Sequence, residues 1–212
     1  MKALIIGATG ATGRDLVNTL LQDQYYTEIA IFIRKSTGIS HPKLNEILTD
    51  FENLEEVFSF IKGDIVFSCL GTTLKAAGSK TIQWHIDYEI PLKFAGIARR
   101  NHVPNIVLLS AYGASATSQV FYSRIKGELE DAITALGFYQ YIVFKPGTLL
   151  RKDTDRSGER ITVALLNFLN RLGLIRKFRP LSTSILAEKL AKAPKMLSAG
   201  KHVIALEKIF DF

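Results

Sequence analysis

The feature that most constrains the fold of this chain is a glycine-rich turn placed directly after its first apolar run. Residues 4–13 read LIIGATGATG, so that Gly7, Gly10 and Gly13 are spaced three apart. A strand-length apolar run, three such glycines and then a helical pattern are typical of a turn whose bare backbone approaches a phosphate at a helix N-terminus. The spacing differs from the commoner Gly-x-Gly-x-x-Gly. The strand before and the helix after it therefore predict a diphosphate site, with a tight turn that binds no ligand as the alternative.

Strand-length apolar runs alternate with amphipathic segments along the first two thirds of the chain. The apolar runs are mostly continuous, as expected for parallel strands that are covered on both faces. This alternation predicts an α/β protein: a Rossmann-type doubly wound parallel sheet with helices on both faces. The predicted strands are 2–6, 28–33, 44–48, 64–69, 104–109 and 140–145, and the predicted helices are 11–23, 53–61, 81–100 and 119–136.

The pattern changes after Pro146 and Gly147. A polar loop leads to predicted helices near 161–171 and 182–197 and to a short strand near 202–206. Because no linker-like stretch separates this tail, we expect a single domain over residues 1–212, in which about 150–212 form a small subregion on the substrate side.

The composition excludes several classes of protein. Apolar residues make up 47% of the chain, but the longest apolar runs are far shorter than a membrane span. We therefore predict a cytoplasmic protein without a membrane partner. Cys69 is the single cysteine and the four histidines are scattered, so we predict no metal site. The net charge of +7 is spread along the chain and matches no nucleic-acid motif, which favours anionic small ligands over nucleic acid.

Two basic residues follow the second predicted strand, about 20 residues beyond the glycines. An acidic residue at this point would bind the ribose 2′-hydroxyl of NAD, whereas cations suit the 2′-phosphate of NADP. The chain has Arg34 and Lys35 there, and Arg14 lies close to the glycine turn. We predict NADP rather than NAD, with solvent-exposed strand-end charges as the alternative.

A tyrosine and a lysine lie four residues apart at Tyr122 and Lys126, and again at Tyr141 and Lys145. Residues four apart are neighbours on a helix, but on a strand they are about 13 Å apart. Only Tyr122 and Lys126 lie in a predicted helix, so only they can act as a unit. An ammonium group near a phenol favours the phenolate form, and such a tyrosine can exchange a proton with a carbonyl oxygen. Ser110, at the end of the preceding strand, is a candidate to polarise the same carbonyl.

Five motifs in this order resemble the short-chain dehydrogenase/reductases, and most closely their atypical, Tat-interacting-protein-like branch. They are GATGATGR, CLGTT at 69–73, LLSAYGA, YSRIKGELE and FKPG at 144–147. The resemblance implies an NAD(P)-binding oxidoreductase with Tyr122 and Lys126 as its catalytic pair. Its better-studied branches often carry the catalytic serine or threonine one or two residues beyond Ser110, where this chain has Ala111 and Tyr112.

The same resemblance assigns the cofactor contacts residue by residue. It implies a diphosphate loop, a 2′-phosphate contact, an acidic residue beside the adenine, a strand end that lines the nucleotide, and a turn near the nicotinamide. The diphosphate loop would be formed by Gly7, Thr9, Gly10, Ala11, Thr12 and Gly13, and the 2′-phosphate contact by Arg34 and Lys35. Asp50 would be the acidic residue beside the adenine. The strand end would be Cys69, Leu70 and Gly71, and the turn near the nicotinamide would be Pro146 and Gly147. Lys126 is also expected to hold the nicotinamide ribose.

Three functions fit these residues. The first is an NADP(H)-dependent oxidoreductase that acts on a small carbonyl or alcohol substrate. The second is a non-catalytic NADP(H)-sensing regulator that binds a protein partner. The third is sugar-nucleotide epimerisation, for which the C-terminal part is short. The sequence leaves open whether the protein is a monomer or a homodimer.

Overall fold

The computed structural model describes residues 1–150 and 180–212. Nine strands are present in these residues: β1 Lys2–Ile6, β2 Glu28–Ile33, β3 Leu44–Leu48, β4 Ile65–Ser68, β5 Asn105–Leu109, β6 Gln140–Lys145, β7 Leu149–Leu150, β8 Leu181–Ser182 and β9 Gly200–Ala205. The α-helices are α1 Ala11–Gln22, α2 Leu74–Ala77, α3 Lys80–Trp84, α4 Ile90–Arg100, α5 Phe121–Ala135, α6 Thr183–Met196 and α7 Lys208–Asp211. A 3₁₀ helix spans Leu54–Phe60, and a π-helical turn at His85–Glu89 joins α3 to α4.

Seven strands form one parallel sheet in the order β3-β2-β1-β4-β5-β6-β9. The strand order reverses between β1 and β4, and ligands of such sheets bind at this switch point, outside the carboxyl ends of the strands. The glycine turn follows β1, and Cys69 follows β4. The predicted Rossmann-type fold is confirmed, and it brings these two segments to one place.

The two faces of the sheet carry separate apolar cores. Alternate residues of each strand point to opposite faces, so Ala3 and Ile5 pack with α1 and α6, whereas Leu4 and Ile6 pack with the 3₁₀ helix, α4 and α5. Both faces are therefore covered by helices. This explains why the strands read as continuous apolar runs rather than as alternating ones.

The long helix predicted at 81–100 is interrupted. Residues 80–100 are helical throughout, but the hydrogen bonding widens to a π turn at His85–Glu89 between α3 and α4. Such turns insert a residue into the helical repeat and often occur at functional sites. The turn contains Asp87, which is completely buried.

The local structure differs from the sequence prediction at two further places. The helix predicted at 53–61 is a 3₁₀ helix at Leu54–Phe60, and the Asn53 side chain before it donates to the Glu56 carboxylate at 2.8 Å. The short helix α2 was not predicted; Thr73 caps it by accepting from the Ala76 N–H. Gly137 follows the end of α5 with a φ of +66°, a conformation that favours glycine.

The described C-terminal residues belong to the main layers of the domain. Strand β9 pairs with β6 at the edge of the sheet, and α6 packs on α1. Near the site, β7 and β8 form a two-stranded parallel pair through Leu149 and Leu181. The helix predicted near 161–171 lies outside the described residues.

Candidate nucleotide-binding and catalytic site

The glycine turn after β1 is held in close contact with the end of β4. Gly7 has a φ of +79°, which a side chain would strain, and a Cβ there would lie 2.5 Å from the backbone of Cys69 and Leu70. A Cβ on Gly13 would lie 2.0 Å from the Gly7 carbonyl oxygen. These two glycines therefore let the turn, the start of α1 and the end of β4 pack backbone to backbone.

Gly10 differs from the other two glycines because it faces a cavity. It is exposed and precedes the first turn of α1, with no side chain to cap the helix. A Cβ on Gly10 would come no closer than 3.3 Å to the Gly7 oxygen. The first N–H groups of a helix have no acceptor within the helix, and the helix dipole adds positive potential there. The start of α1 thus offers bare backbone donors to an anion.

Two cavities lie on either side of the glycine turn. The first, of about 700 Å³, is lined by Gly10, Ala11 and Thr12 from the turn, by the segment 69–74 and by residues 120–122 and 126 of the α5 region. The second, of about 710 Å³, is lined by Ala8 and Thr9 and by the segment after β2. A molecule that crosses the turn with a diphosphate has room for one half in each cavity.

The second cavity is basic. Arg14, Arg34 and Lys35 belong to its lining, and both residues after β2 are exposed. The adjoining Ser36 and Thr37 donate to the carboxylate of Glu46, and these hydrogen bonds hold the pKa of Glu46 below its usual range. Glu46 on β3 therefore fixes the loop that follows Arg34 and Lys35.

Tyr122 and Lys126 lie one turn apart on α5 and both line the first cavity. The Lys126 ammonium is 5.9 Å from the centre of the Tyr122 ring. Gly127 allows α5 to approach the loop before it, since a Cβ at this position would lie 2.1 Å from the Ser115 carbonyl carbon. By contrast, Tyr141 and Lys145 lie on β6, and each contacts Glu130 rather than the other.

Lys126 has a buried partner that the sequence reasoning missed. Its ammonium is 2.8 Å from the Asp87 carboxylate, and the two side chains are 2% and 0% exposed. Lys126 also donates to the Leu70 carbonyl at 3.3 Å, while Asp87 accepts from the Thr72 N–H at 3.1 Å. The available signal was an acid at an apolar position of the pattern HIDYEIPLKFA, but nothing in the sequence ties it to Lys126.

Ser110 borders the first cavity at the end of β5, where its hydroxyl donates to the buried carboxylate of Glu130. Glu130 is held in turn by the Lys145 ammonium at 2.7 Å. The hydroxyl proton of Ser110 is therefore already used within the protein. A ligand in the cavity would meet an oxygen acceptor at this point, unless the Ser110 hydroxyl turned away from Glu130.

The remaining residues singled out from the sequence lie at the same carboxyl edge of the sheet. Cys69 and Leu70 line the first cavity, and burial raises the pKa of the Cys69 thiol to about 12, against a smaller opposite effect of Lys126. Asp50 is exposed, accepts from the Glu52 N–H and lines neither of these two cavities. Pro146 and Gly147 follow β6, where the Pro146 carbonyl accepts from the Tyr112 N–H.

The parallel sheet, its switch point and the glycine turn define this chain as a nucleotide-binding protein of the Rossmann class. Residues 7–169 match a protein family described as NAD(P)H-binding. The chain belongs to this family, within the atypical, Tat-interacting-protein-like branch of the short-chain dehydrogenase/reductases, as the sequence motifs predict.

Two relatives place the chain in that branch. Protein fmp52-2, mitochondrial, of Aspergillus terreus is 32% identical over 176 residues, which are 81% of this chain and 76% of that protein. Protein HTATIP2 of Rattus norvegicus is 32% identical over 160 residues, which are 73% of this chain and 66% of that protein. Both alignments span most of this chain.

Solved structures share the fold at low sequence identity. The oxidoreductase ylbE from Lactococcus lactis has a TM-score of 0.72 at 18% identity and covers 100% of this chain and 96% of its own. A short-chain dehydrogenase/reductase superfamily protein from Agrobacterium tumefaciens, solved with bound NAD, has a TM-score of 0.74 at 13% identity. The match covers 97% of this chain and 77% of that protein chain.

The prediction of a cytoplasmic protein is wrong on this comparison. Relatives from Aspergillus terreus, Aspergillus oryzae, Scheffersomyces stipitis and Candida albicans are all named mitochondrial. The prediction rested on composition and on short apolar runs, which carry no signal for a compartment. Within residues 1–150 and 180–212, no helix combines the length and apolar character that crossing a bilayer requires.

Proposed function

We propose that this protein is an NADP(H)-dependent oxidoreductase that acts on a small carbonyl or alcohol substrate, with Tyr122 as its acid and base. One observation carries the proposal: a single cavity is lined by the bare start of α1 and by Tyr122 and Lys126 of α5. A group that exchanges protons and a site suited to a diphosphate thus border the same space. A structural glycine turn alone would not require this arrangement.

The residues present fit a nicotinamide dinucleotide. The N–H groups at the start of α1 would hold the diphosphate, Lys126 the nicotinamide ribose, and Arg34 with Lys35 the 2′-phosphate. In this arrangement the adenosine half would lie in the basic second cavity and the nicotinamide half in the first. When bound, the reduced nicotinamide supplies a hydride to the carbonyl carbon of the substrate.

Tyr122 completes the reduction by transferring its phenolic proton to the carbonyl oxygen, so that the carbonyl becomes an alcohol. In the reverse direction its phenolate takes the proton back. The Lys126 ammonium favours the phenolate by its charge. Ser110 would help only if its hydroxyl turned from Glu130 toward the substrate, so we propose it as an auxiliary rather than an essential donor.

The test begins with parallel titrations of the purified protein with NADPH and NADH by calorimetry. We expect NADPH to bind at least about tenfold more tightly, since a charge-assisted contact to phosphate contributes about 1.5–3 kcal/mol. Turnover is then sought by screening small aldehydes and ketones with NADPH as reductant. Absence of binding for both nucleotides would remove the proposal.

Tyr122→Phe should abolish turnover while the dissociation constant for NADPH changes little, because only the phenolic hydroxyl is lost. Tyr139→Phe is the matched control, since Tyr139 is 70% exposed and lies at the amino end of β6, whereas the cavities lie at the carboxyl ends of the strands. Full activity in Tyr122→Phe would show that another group transfers the proton.

A second function is favoured by the engagement of Ser110 with Glu130. A protein that binds NADP(H) without turnover has no need for a free hydroxyl beside Tyr122. Such a regulator would bind a protein partner with different affinities in the NADP⁺ and NADPH states, because a ligand shifts an equilibrium only through differential binding. NADPH binding without turnover of any carbonyl in the screen would favour this alternative.

A further inference from the structure

The buried ion pair between Asp87 and Lys126 is not explained by the role proposed for Lys126 alone. Contacts to a ribose and to Tyr122 do not account for the carboxylate that lies behind this ammonium. Yet the π-helical turn places a completely buried Asp87 against it at 2.8 Å. Taking a carboxylate and an ammonium out of water costs several kcal/mol for each ion, so an isolated buried pair stabilises a fold little.

The side chains of Asp87 and Lys126 both hydrogen-bond to the short loop that follows β4. Lys126 donates to the Leu70 carbonyl and Asp87 accepts from the Thr72 N–H. Gly71 lies between them, and a Cβ there would come within 3.0 Å of the Asp87 carboxylate and 3.3 Å of the Lys126 ammonium. The ion pair and the loop after β4 therefore form one close-packed unit.

The ammonium of Lys126 has two partners within the protein and lies beside the first cavity. It donates to the Leu70 carbonyl and forms an ion pair with Asp87 at 2.8 Å, while the Asp87 Oδ1 atom accepts no hydrogen bond. An ammonium has three donors and no acceptor. Because Lys126 also lines the first cavity, it has donor capacity left for a ribose hydroxyl there.

The Lys126 side chain is 2% exposed, and the Asp87 carboxylate lies 2.8 Å from its ammonium. In general, desolvation disfavours a buried ammonium, and an opposite charge within about 4 Å favours it. Besides Asp87, the described residues place Tyr122 and Cys69 near this ammonium. Of these three groups, Asp87 is the one carboxylate.

We propose that Asp87 is a positioning residue that keeps Lys126 in its ammonium form and holds this ammonium at the edge of the first cavity. Asp87 itself contacts neither substrate nor nucleotide and acts only through Lys126. The alternative is a purely structural role, in which Asp87 stabilises the loop through the Thr72 N–H and its effect on nucleotide binding does not depend on Lys126. The part that concerns nucleotide affinity rests on the proposed function, whereas the part that concerns the charge of Lys126 does not.

The first experiment reads the protonation state of Lys126 without any nucleotide. Lysine side chains are labelled with ¹³C and ¹⁵N, and the Lys126 resonance is identified by its absence in Lys126→Met. We expect it to keep the shift of an ammonium from pH 6 to pH 10 in the unmodified protein. In Asp87→Asn, which preserves the shape and the acceptor for Thr72, it should shift to that of a neutral amine within this range.

Asp23→Asn is the matched control, because Asp23 also pairs with a lysine, Lys195, at the end of α1 far from the cavity. It should leave the Lys126 resonance unchanged. An ammonium that persists to pH 10 in Asp87→Asn would overturn the proposal.

The second experiment is a double-mutant cycle on NADPH affinity. Asp87→Asn and Lys126→Met should each weaken NADPH binding by about tenfold or more. The double variant should bind no more weakly than Lys126→Met, because Asp87 acts only through Lys126. Losses that multiply to about a hundredfold would instead indicate an independent structural role and overturn the proposal.

Two further outcomes remain decisive. If Asp87→Asn does not fold, the double variant should fold, since it contains no uncompensated charge; failure of both would show that Asp87 is needed apart from Lys126. If the unmodified protein binds neither NADPH nor NADH, the proposed function falls, but the resonance of Lys126 still tests its coupling to Asp87.

Discussion

Replacing Gly13 by alanine tests the close packing of the glycine turn against α1. The added Cβ would lie 2.0 Å from the Gly7 carbonyl oxygen and 2.8 Å from its carbonyl carbon. An ordinary contact is about 3.5 Å, so the start of α1 and the turn must separate by about 1.5 Å. Gly7 cannot give way easily, because it abuts the backbone of Cys69 and Leu70. We therefore expect a cost near the upper end of the range for overpacking, about 3 kcal/mol.

For a chain of 212 residues, this cost corresponds to a fall in melting temperature of about 6–12 °C, measured by calorimetry or circular dichroism. NADPH binding should be lost as well, since the donors of α1 move with the turn. Gly96→Ala is the matched control, because Gly96 lies inside α4 with no atom within 4 Å of an added Cβ. It should raise the melting temperature by about 2–4 °C through helix propensity. An unchanged melting temperature for Gly13→Ala would refute the packing argument.

Two further substitutions or reactions probe the two cavities. Arg34→Gln should weaken NADPH binding by about tenfold or more and leave NADH binding unchanged, because it removes a partner of the 2′-phosphate alone. Lys62→Gln is the control, since it makes an equal charge change at an exposed site. An equal loss of affinity for both nucleotides would argue against Arg34 as the 2′-phosphate contact. The Cys69 thiol is half-buried in the lining of the first cavity, and desolvation raises its pKa to about 12. Because the thiolate is the reactive form, it should react with a thiol reagent at pH 8 at least about a hundredfold more slowly in the folded than in the unfolded protein. Fast reaction of the folded protein at pH 8 would contradict the raised pKa.

The sheet was predictable because its strands are buried on both faces. The run KALII coincides with β1, and EIAIFI with β2, since continuous apolar stretches of this length leave few alternatives. The strand order was not predicted from the sequence, and the glycine turn indicated only a diphosphate site after the first strand. The π turn was not predicted, because the residues HIDYE contain neither proline nor glycine to mark a break in the helix.

The candidate site divides in the same way. Tyr122 and Lys126 could be paired from sequence because residues four apart meet on a helix. Lys126 and Asp87 are 39 positions apart, and their contact depends on how α5 and the π turn pack against the end of β4. The same holds for Ser110, whose engagement with Glu130 joins the end of β5 to α5. The spacing of residues along the chain therefore identified the candidate catalytic groups. The residues that contact these groups could be identified only from the tertiary structure.

The two cavities differ in the charge of the side chains that line them. In the described lining of the first cavity, the charge of Lys126 is balanced by Asp87 behind it. The second cavity carries Arg14, Arg34 and Lys35, with the carboxylate of Glu46 held nearby by two hydroxyls. The positive charge is therefore concentrated in the second cavity, where the proposed function places the adenosine half of the nucleotide, and the first cavity has little net charge. Because exposed charges are screened by salt and buried pairs much less so, added salt should reduce the preference for NADPH over NADH while affecting NADH binding little. A preference that does not change with salt would place the discrimination between the two nucleotides elsewhere than at Arg34 and Lys35.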